Sequence, residues 1–287
     1  MLLTQSELFN HSEKEKSEPF LRWAGGKRWL VPFARKLLSS NEFNTYHEPF
    51  LGGGAIFFSL FDGKKSILSD LNKDLISCYK IVKEQPHELI SALEKLENSK
   101  EQFLRLRELV SEDPIECAAR FIYLNRTSFN GIYRVNKKGQ FNVPYGRPDI
   151  EILEAEKLLR ASAALKNSSL IACDFNVKER YQKGDFIFLD PPYSFGGKKS
   201  FLSYNSKAFG IEDQIRLAQL IEYFEKEGIF YALTNSSHPE VKELFSFCKY
   251  CALLSRREGI AANPEKRKVS NELIFTNVDG FENVIDN

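Results

Sequence analysis

Short runs of aliphatic, β-branched or aromatic residues at 45–48, 66–69, 169–172, 186–189 and 229–233 stop at an acid or a turn, with apolar-periodic helical segments among them. That alternation constrains the chain to an α/β sheet, and each run has the length of a buried central strand. A helix is predicted at 212–227, with Ile215, Ala218, Ile221 and Phe224 on one face and Gly228 as its stop. A capping box at 237–240, starting at Ser237, opens the next helix. The last two runs, 251–255 and 271–276, bracket a polar loop and predict an antiparallel finish.

Between 70 and 168 the strand pattern gives way to helical periodicity at 75–83, 87–96, 101–109 and 115–124. The division that follows is a sheet-bearing domain made of 20–73 and 166–287, a helical insertion at 74–165, and a flexible arm at 1–19. The insertion ends in a stretch, 120–148, with six Lys or Arg and no Asp or Glu. In a chain with 40 basic and 39 acidic residues, any site for a polyanion must be local, and this stretch is the place for it.

The 287 residues, 43% of them hydrophobic, exclude a disordered tail or a disulfide-stapled miniprotein. No window reaches the roughly 18 consecutive apolar residues of a membrane span. Five cysteines, an odd number with no secretory signal ahead of them, read as reduced thiols in the cytoplasm. Cys248 and Cys251 have no second pair and lie in an apolar run, so they read as packed thiols and no metal site is expected. His47 and His238 are given no catalytic role.

Glu48, Pro49, Phe50, Leu51 and Gly52 to Gly54 leave one strand and enter an apolar helical run. Glycines there allow tight turning and close approach of a ligand, and the helix start offers free amides. The spacing fits neither the dinucleotide fingerprint nor a P-loop. Asp70 closes the next strand, where such folds place an acid against ribose hydroxyls, so a nucleoside cofactor is expected. Asp190, Pro191, Pro192 and Tyr193 follow the most apolar strand. They bring carboxylate and carbonyl acceptors and an aromatic face to one point, which is what an exocyclic amino group on a flat base needs.

The motifs FLRWAGGK (20–27), EPFLGGG (48–54), LSDLN (68–72) and DPPY (190–193), with NRTSFNGIYR (125–134) and FNVPYG (141–146), occur in the order seen in Dam-type, D12-class DNA adenine methyltransferases, which the chain resembles from about 20 to 277. The resemblance implies a Rossmann-like doubly wound sheet with an inserted helical DNA-recognition domain. It implies S-adenosyl-L-methionine as cofactor, held by Trp23, Ala24, Gly25, Lys27, Glu48, Pro49, Phe50, Gly52, Gly53, Gly54, Asp70 and Asp190, with Asp174 and Phe175 at its adenine ring. Lys27 reads otherwise as a surface lysine. The catalytic set is Asp190, Pro191, Pro192 and Tyr193, acting on the N6 amino group of an adenine flipped out of duplex DNA. DNA contacts fall on Arg22, Arg126, Asn130, Arg134, Lys137, Lys138 and Pro144, with GATC as the implied target. The segment 201–209 matches the family's mobile loop over the base, and the basic loop 256–268 is a second phosphate-contact candidate. Expected partners are double-stranded DNA and a cognate restriction endonuclease that forms no stable complex; the enzyme is expected to be a monomer, off the membrane. Two other readings stay open: an RNA adenine methyltransferase, and a non-catalytic DNA-binding regulator on the same fold.

Overall fold

The computed structural model describes residues 17–39, 41–136, 138–193, 209–257 and 269–282. Lys137, most of the arm, nearly all of 201–209 and most of 256–268 lie outside them.

Seven strands form one sheet: β1 (Tyr46–Glu48), β2 (Ser66–Asp70), β3 (Ser168–Ala172), β4 (Phe186–Leu189), β5 (Phe230–Ser236), β6 (Tyr250–Arg257) and β7 (Val269–Thr276), in the order β3-β2-β1-β4-β5-β7-β6. The first five run parallel, and β7 enters antiparallel between β5 and β6. The four residues of β4 are all buried and alternate between faces: Phe186 and Phe188 join one core, Ile187 and Leu189 the other. A continuous apolar run is the sequence signature of such a doubly covered strand.

The first core packs under α1 (Val31–Leu38), α2 (Ala55–Leu60), α3 (Lys73–Glu84), α4 (Pro86–Glu94), α5 (Lys100–Glu108), α6 (Pro114–Thr127) and α7 (Ala155–Leu165); the second packs under α8 (Ile211–Glu227) and α9 (Pro239–Leu244). Helices α3 to α7 therefore share one hydrophobic cluster with the sheet. Helix starts follow side-chain chemistry. Asn72 accepts from the amides of Asp74 and Leu75, Ser99 from Gln102, and Asp113 from Ile115 and Glu116 ahead of Pro114.

Four expectations need correction. Ile215 is 44% exposed, and the buried stripe of α8 instead takes in Leu217, Leu220 and Gln214, whose Oε1 accepts from the buried Asn235 amide at 2.9 Å. The cap of α9 is His238, whose Nδ1 accepts from the Glu240 amide, and not Ser237. Cys251 faces solvent. Ser17, placed in the loose arm, is buried and donates to the Phe58 carbonyl at 3.2 Å. His47 is buried against Asp185, 2.9 Å away at the amino end of β4.

One side chain joins the helical layer to the segment before α1. Fully buried Asn125, on α6, accepts from the Arg22 amide at 2.9 Å and donates to the carbonyls of Arg22 at 2.7 Å and Gly131 at 3.3 Å. It pairs with both backbone groups of Arg22 as a neighbouring strand would. Each buried backbone group left unpaired costs about 1–3 kcal/mol. Asn125→Ala is thus expected to lower unfolding free energy by about 2–4 kcal/mol in a urea titration, and an unchanged midpoint would show that this clasp holds nothing.

Candidate active site

The parallel strands β1, β2, β3 and β4 deliver their carboxyl ends to one edge, and the loops leaving them enclose a cavity of about 500 Å³. After β1 the chain turns through Gly52 (φ +47°) and Gly54 (φ +67°) into α2. These glycines are forced by contact as well as by φ: a Cβ on Gly52 would stand 2.7 Å from the Trp23 ring, and one on Gly53 2.9 Å from Trp23 Cβ. Asp70, ending β2, closes the loop from the other side. Its Oδ2 accepts from the Gly52 amide at 3.1 Å and its Oδ1 from the Asn72 amide at 2.9 Å, while Tyr79 donates to the Gly52 carbonyl at 3.1 Å.

Beyond β3, Asp174 accepts from the Asn176 amide and pairs with Arg216 of α8 at 2.6 Å; Arg216 also holds Asp213 and lies over the Phe175 ring at 4.9 Å. Phe50, Phe175 and Phe209 meet at centroid distances of 5.2 to 5.8 Å and make an aromatic wall.

At the end of β4, Asp190 Oδ1 accepts from Thr234 Oγ1 of β5 at 2.8 Å and lies 2.8 Å from Lys27 Nζ. Lys27 is 4% exposed, so the surface-lysine alternative fails; its ammonium also donates to the Gly25 carbonyl at 3.0 Å and stands 3.5 Å from Glu272 Oε2. Tyr193 donates to Glu272 Oε2 at 2.8 Å, and Lys27 sits 5.0 Å from its ring centroid.

The cavity thus gathers every predicted cofactor and catalytic residue: Trp23, Ala24, Gly25, Lys27, Glu48, Pro49, Phe50, Gly52, Gly53, Gly54, Asp70, Asp174, Phe175, Asp190, Pro191, Pro192 and Tyr193. Sequence reading missed Leu71, Asp213 and Arg216 in its wall, and Thr234 and Glu272 behind it. Thr234 and Glu272 stand where an apolar strand run meets polar neighbours, Asn235 and Ser236 in one case and Ser270 and Asn271 in the other, so the local sequence carried no signal for them.

The predicted DNA contacts lie elsewhere. Residues 134–136 and 140–142 lie side by side as the two arms of a tight hairpin: the Asn142 amide donates to the Arg134 carbonyl, the Asn136 amide to the Gln140 carbonyl, and Val135 bridges Phe141. Arg134 Nε donates to Asn142 Oδ1 at 2.8 Å, and Lys138 is exposed at the turn held by Asn136. Asn130 is exposed with a left-handed φ of 55°, Pro144 is exposed, and the exposed Arg22 lies over Gly131, where a Cβ would be 2.9 Å from its Nε. Arg126 is a correction: it is 7% exposed, donates to the Glu151 carbonyl and pairs with Glu154, so it faces inward. Arg120, one of the six charges that marked this stretch as basic, caps the carbonyls of Leu106 and Arg107.

Electrostatics in the cavity are dominated by buried acids. Burial pushes the Glu48 carboxyl up to about 8 against the lowering effect of hydrogen bonds from Tyr46 and the Phe57 amide, with Asp190 and Asp70 adding repulsion. Asp70 is also raised, again chiefly by burial. A carboxyl that stays protonated in the folded chain to about pH 8, but ionises from about 4.5 when unfolded, binds more protons folded than unfolded in that interval. Stability therefore falls as pH rises through it. Glu48→Gln is expected to flatten this fall by on the order of 5 kcal/mol across the whole interval, read as urea midpoints at several pH values with no ligand added. Parallel pH profiles for the two proteins would contradict the assignment.

A model of the D12 class of N6 adenine-specific DNA methyltransferases matches residues 23–259. The chain is 39% identical over 273 residues to Type II methyltransferase M1.LlaDCHI of Lactococcus lactis subsp. cremoris, covering 90% of this chain and 95% of that protein. It is 39% identical over 243 residues to Type II methyltransferase M.MjaIII of Methanocaldococcus jannaschii, covering 76% and 84%. With the DNA adenine methylase of Salmonella typhi it shares 31% over 268 residues, covering 91% and 95%. On these matches and on the seven-stranded sheet beneath them, the chain belongs to the D12 class of N6 adenine-specific DNA methyltransferases.

Proposed function

We propose that this adenine-specific DNA methyltransferase takes its methyl group from S-adenosyl-L-methionine and places it on the N6 amino group of an adenine drawn out of duplex DNA, within a GATC site. The observation that carries the reading is the Asp190 carboxylate at the mouth of the glycine-loop cavity, gripped on Oδ1 by Thr234 and Lys27.

The cavity fits the cofactor in size and in chemistry. Its volume lies within the range of small-molecule sites, and Gly52 and Gly53 let the loop that lines it pack directly against Trp23, where a Cβ would clash. Glu48, Asp70, Asp174 and Asp190 offer acids to a cationic, hydroxyl-bearing ligand, and Phe50 and Phe175 offer a wall to a flat ring. When bound, S-adenosyl-L-methionine supplies an electrophilic methyl on a sulfonium centre. The chain's own residues do the rest. The Asp190 carboxylate and the Pro191 carbonyl would accept the two N–H bonds of the target amine, which directs the nitrogen lone pair at the methyl. As the new N–C bond forms the sulfonium C–S bond breaks to leave a neutral thioether, and the alkylated nitrogen gives up one proton to the Asp190 carboxylate, whose negative charge favours the positive charge that grows there. Tyr193 stacks on the base, repaying part of the few kcal/mol of unstacking. No covalent enzyme intermediate is needed.

Readout of the duplex is assigned to the exposed elements beside the cavity: Arg22 over Gly131, Asn130, and the hairpin bearing Arg134 and Lys138. An arginine can grip a guanine edge with two hydrogen bonds, whereas a lysine at a hairpin turn mainly meets phosphate. The names of the Type II relatives support a place beside a restriction endonuclease, and five cysteines without a disulfide suit the cytoplasm. Among the described residues no helix is long and apolar enough to cross a membrane. We assign a monomer.

The test is transfer of tritiated methyl from S-adenosyl-L-methionine to GATC duplexes, to single-base variants, and to RNA. Incorporation is expected in GATC duplex alone. Asp190→Ala should abolish transfer while calorimetry still detects cofactor binding; near-normal turnover would remove Asp190 from the chemistry.

Arg134→Ala should cost about 1–3 kcal/mol on GATC and narrow the gap to variants at one base pair. Lys138→Ala should weaken all duplexes alike and reduce the salt dependence by about one phosphate contact. Uniform losses across every duplex for Arg134→Ala would take that residue out of base readout.

A further inference from the structure

We propose that Glu272 is a positioning residue for methyl transfer, acting through Lys27 and Tyr193 on the groups that meet the target adenine. It lies on β7, opposite Ser236 of β5, a strand outside the parallel part of the sheet that carries the glycine loop and DPPY. Its side chain is 6% exposed. One oxygen, Oε2, receives the Tyr193 hydroxyl at 2.8 Å and stands 3.5 Å from the Lys27 ammonium, which in turn lies 2.8 Å from Asp190 Oδ1 and 5.0 Å from the centre of the Tyr193 ring.

Burying a carboxylate is costly, and replacing a buried ionic cluster by apolar residues is often neutral or stabilising, so stability alone gives no reason for an acid inside the β5–β7 pairing. Geometry gives two. The phenol oxygen of Tyr193 is tethered, which fixes the plane of the ring that the extruded base would stack upon. The Lys27 ammonium is also held from two sides, 2.8 Å from Asp190 Oδ1 and 3.5 Å from Glu272 Oε2, which fixes it beside the carboxylate that would meet the target amine. Glu272 does not line the cavity; its effect passes through Lys27 and Tyr193, which do.

The inference rests on the reading of Asp190 and Tyr193 given above, and the experiment separates the two. Steady-state kinetics on GATC duplex are compared for the wild type, Glu272→Ala and Glu272→Gln, with cofactor affinity measured by calorimetry. The alanine variant should lose about 10²-fold in kcat, the scale of a misplaced reacting geometry, with KM for DNA and cofactor affinity within about threefold. Glutamine keeps an acceptor for the Tyr193 hydroxyl and loses the charge, so it should recover roughly tenfold over alanine. Alanine kcat within about twofold of wild type, a loss carried by KM or cofactor affinity instead of kcat, or equal losses in both variants would each overturn the assignment. A wild type that transfers no methyl to duplex DNA would instead remove the underlying reading.

Discussion

A sheet whose strand order reverses between β1 and β4 leaves the carboxyl ends of those two strands uncovered by any crossover, because the chain leaves β1 toward β2 and β3 and leaves β4 toward β5. The cavity that gathers the candidate cofactor and catalytic residues hangs on that gap. The strands are parallel, so the residues that end or follow them, Glu48, Asp70, Asp174 and Asp190, are brought to one edge although they are spread over about half of the sequence. The arrangement concentrates like charge. Burial holds Glu48 and Asp70 above the usual carboxylate range, and the cations in the cavity wall, Lys27 and Arg216, are each paired with an acid there.

The segment 20–27 couples this edge to the helical layer. Its backbone at Arg22 is clasped by Asn125 of α6, its Trp23 ring packs on Gly52 and stacks toward Phe121 and Tyr133, and its Lys27 reaches Asp190. Six residues therefore span from the exposed turn at Asn130 and Gly131 to the carboxylate at the centre of the site. Aromatic rings serve the same end, since much of the contact between α5, α6 and the hairpin is aromatic: Phe103 against Phe141, Phe121 against Tyr133, and Tyr133 against Phe141. Rings fill large volumes with few rotors, which gives an exposed hairpin a rigid base.

What could be read from sequence was whatever local order controls. Apolar runs ended by acids placed the parallel strands within a few residues, and the glycine loop with its strand-end acids converged on one cavity. Charge counting failed where geometry decides: Arg120 and Arg126 belong to an acid-free stretch in sequence, yet the carbonyls that end α5 and the carboxylate of Glu154 claim them. On α8, Ala218, Ile221 and Phe224 are buried as expected, but Ile215 is not: neighbouring helical positions differ by about 100°, and at the start of the helix the fold buries the less apolar Gln214 against Asn235. Thr234 and Glu272 escaped because each reaches the site as a single side chain from a strand 40 or more residues away from its partner in sequence.

Charge is nearly balanced over the whole chain, but its distribution is not. Acids collect in the cavity, while the exposed hairpin and the Asn130 turn beside it present Arg22, Arg134 and Lys138. An enzyme of this class must hold a polyanion against its surface while a positive charge develops on one nitrogen inside. A uniformly basic surface would serve the first need and defeat the second. Lys27 shows how a cation is kept at the site without making its surface basic: buried to 4% exposure, its ammonium lies 2.8 Å from Asp190 and 3.5 Å from Glu272, enclosed by acids on two sides.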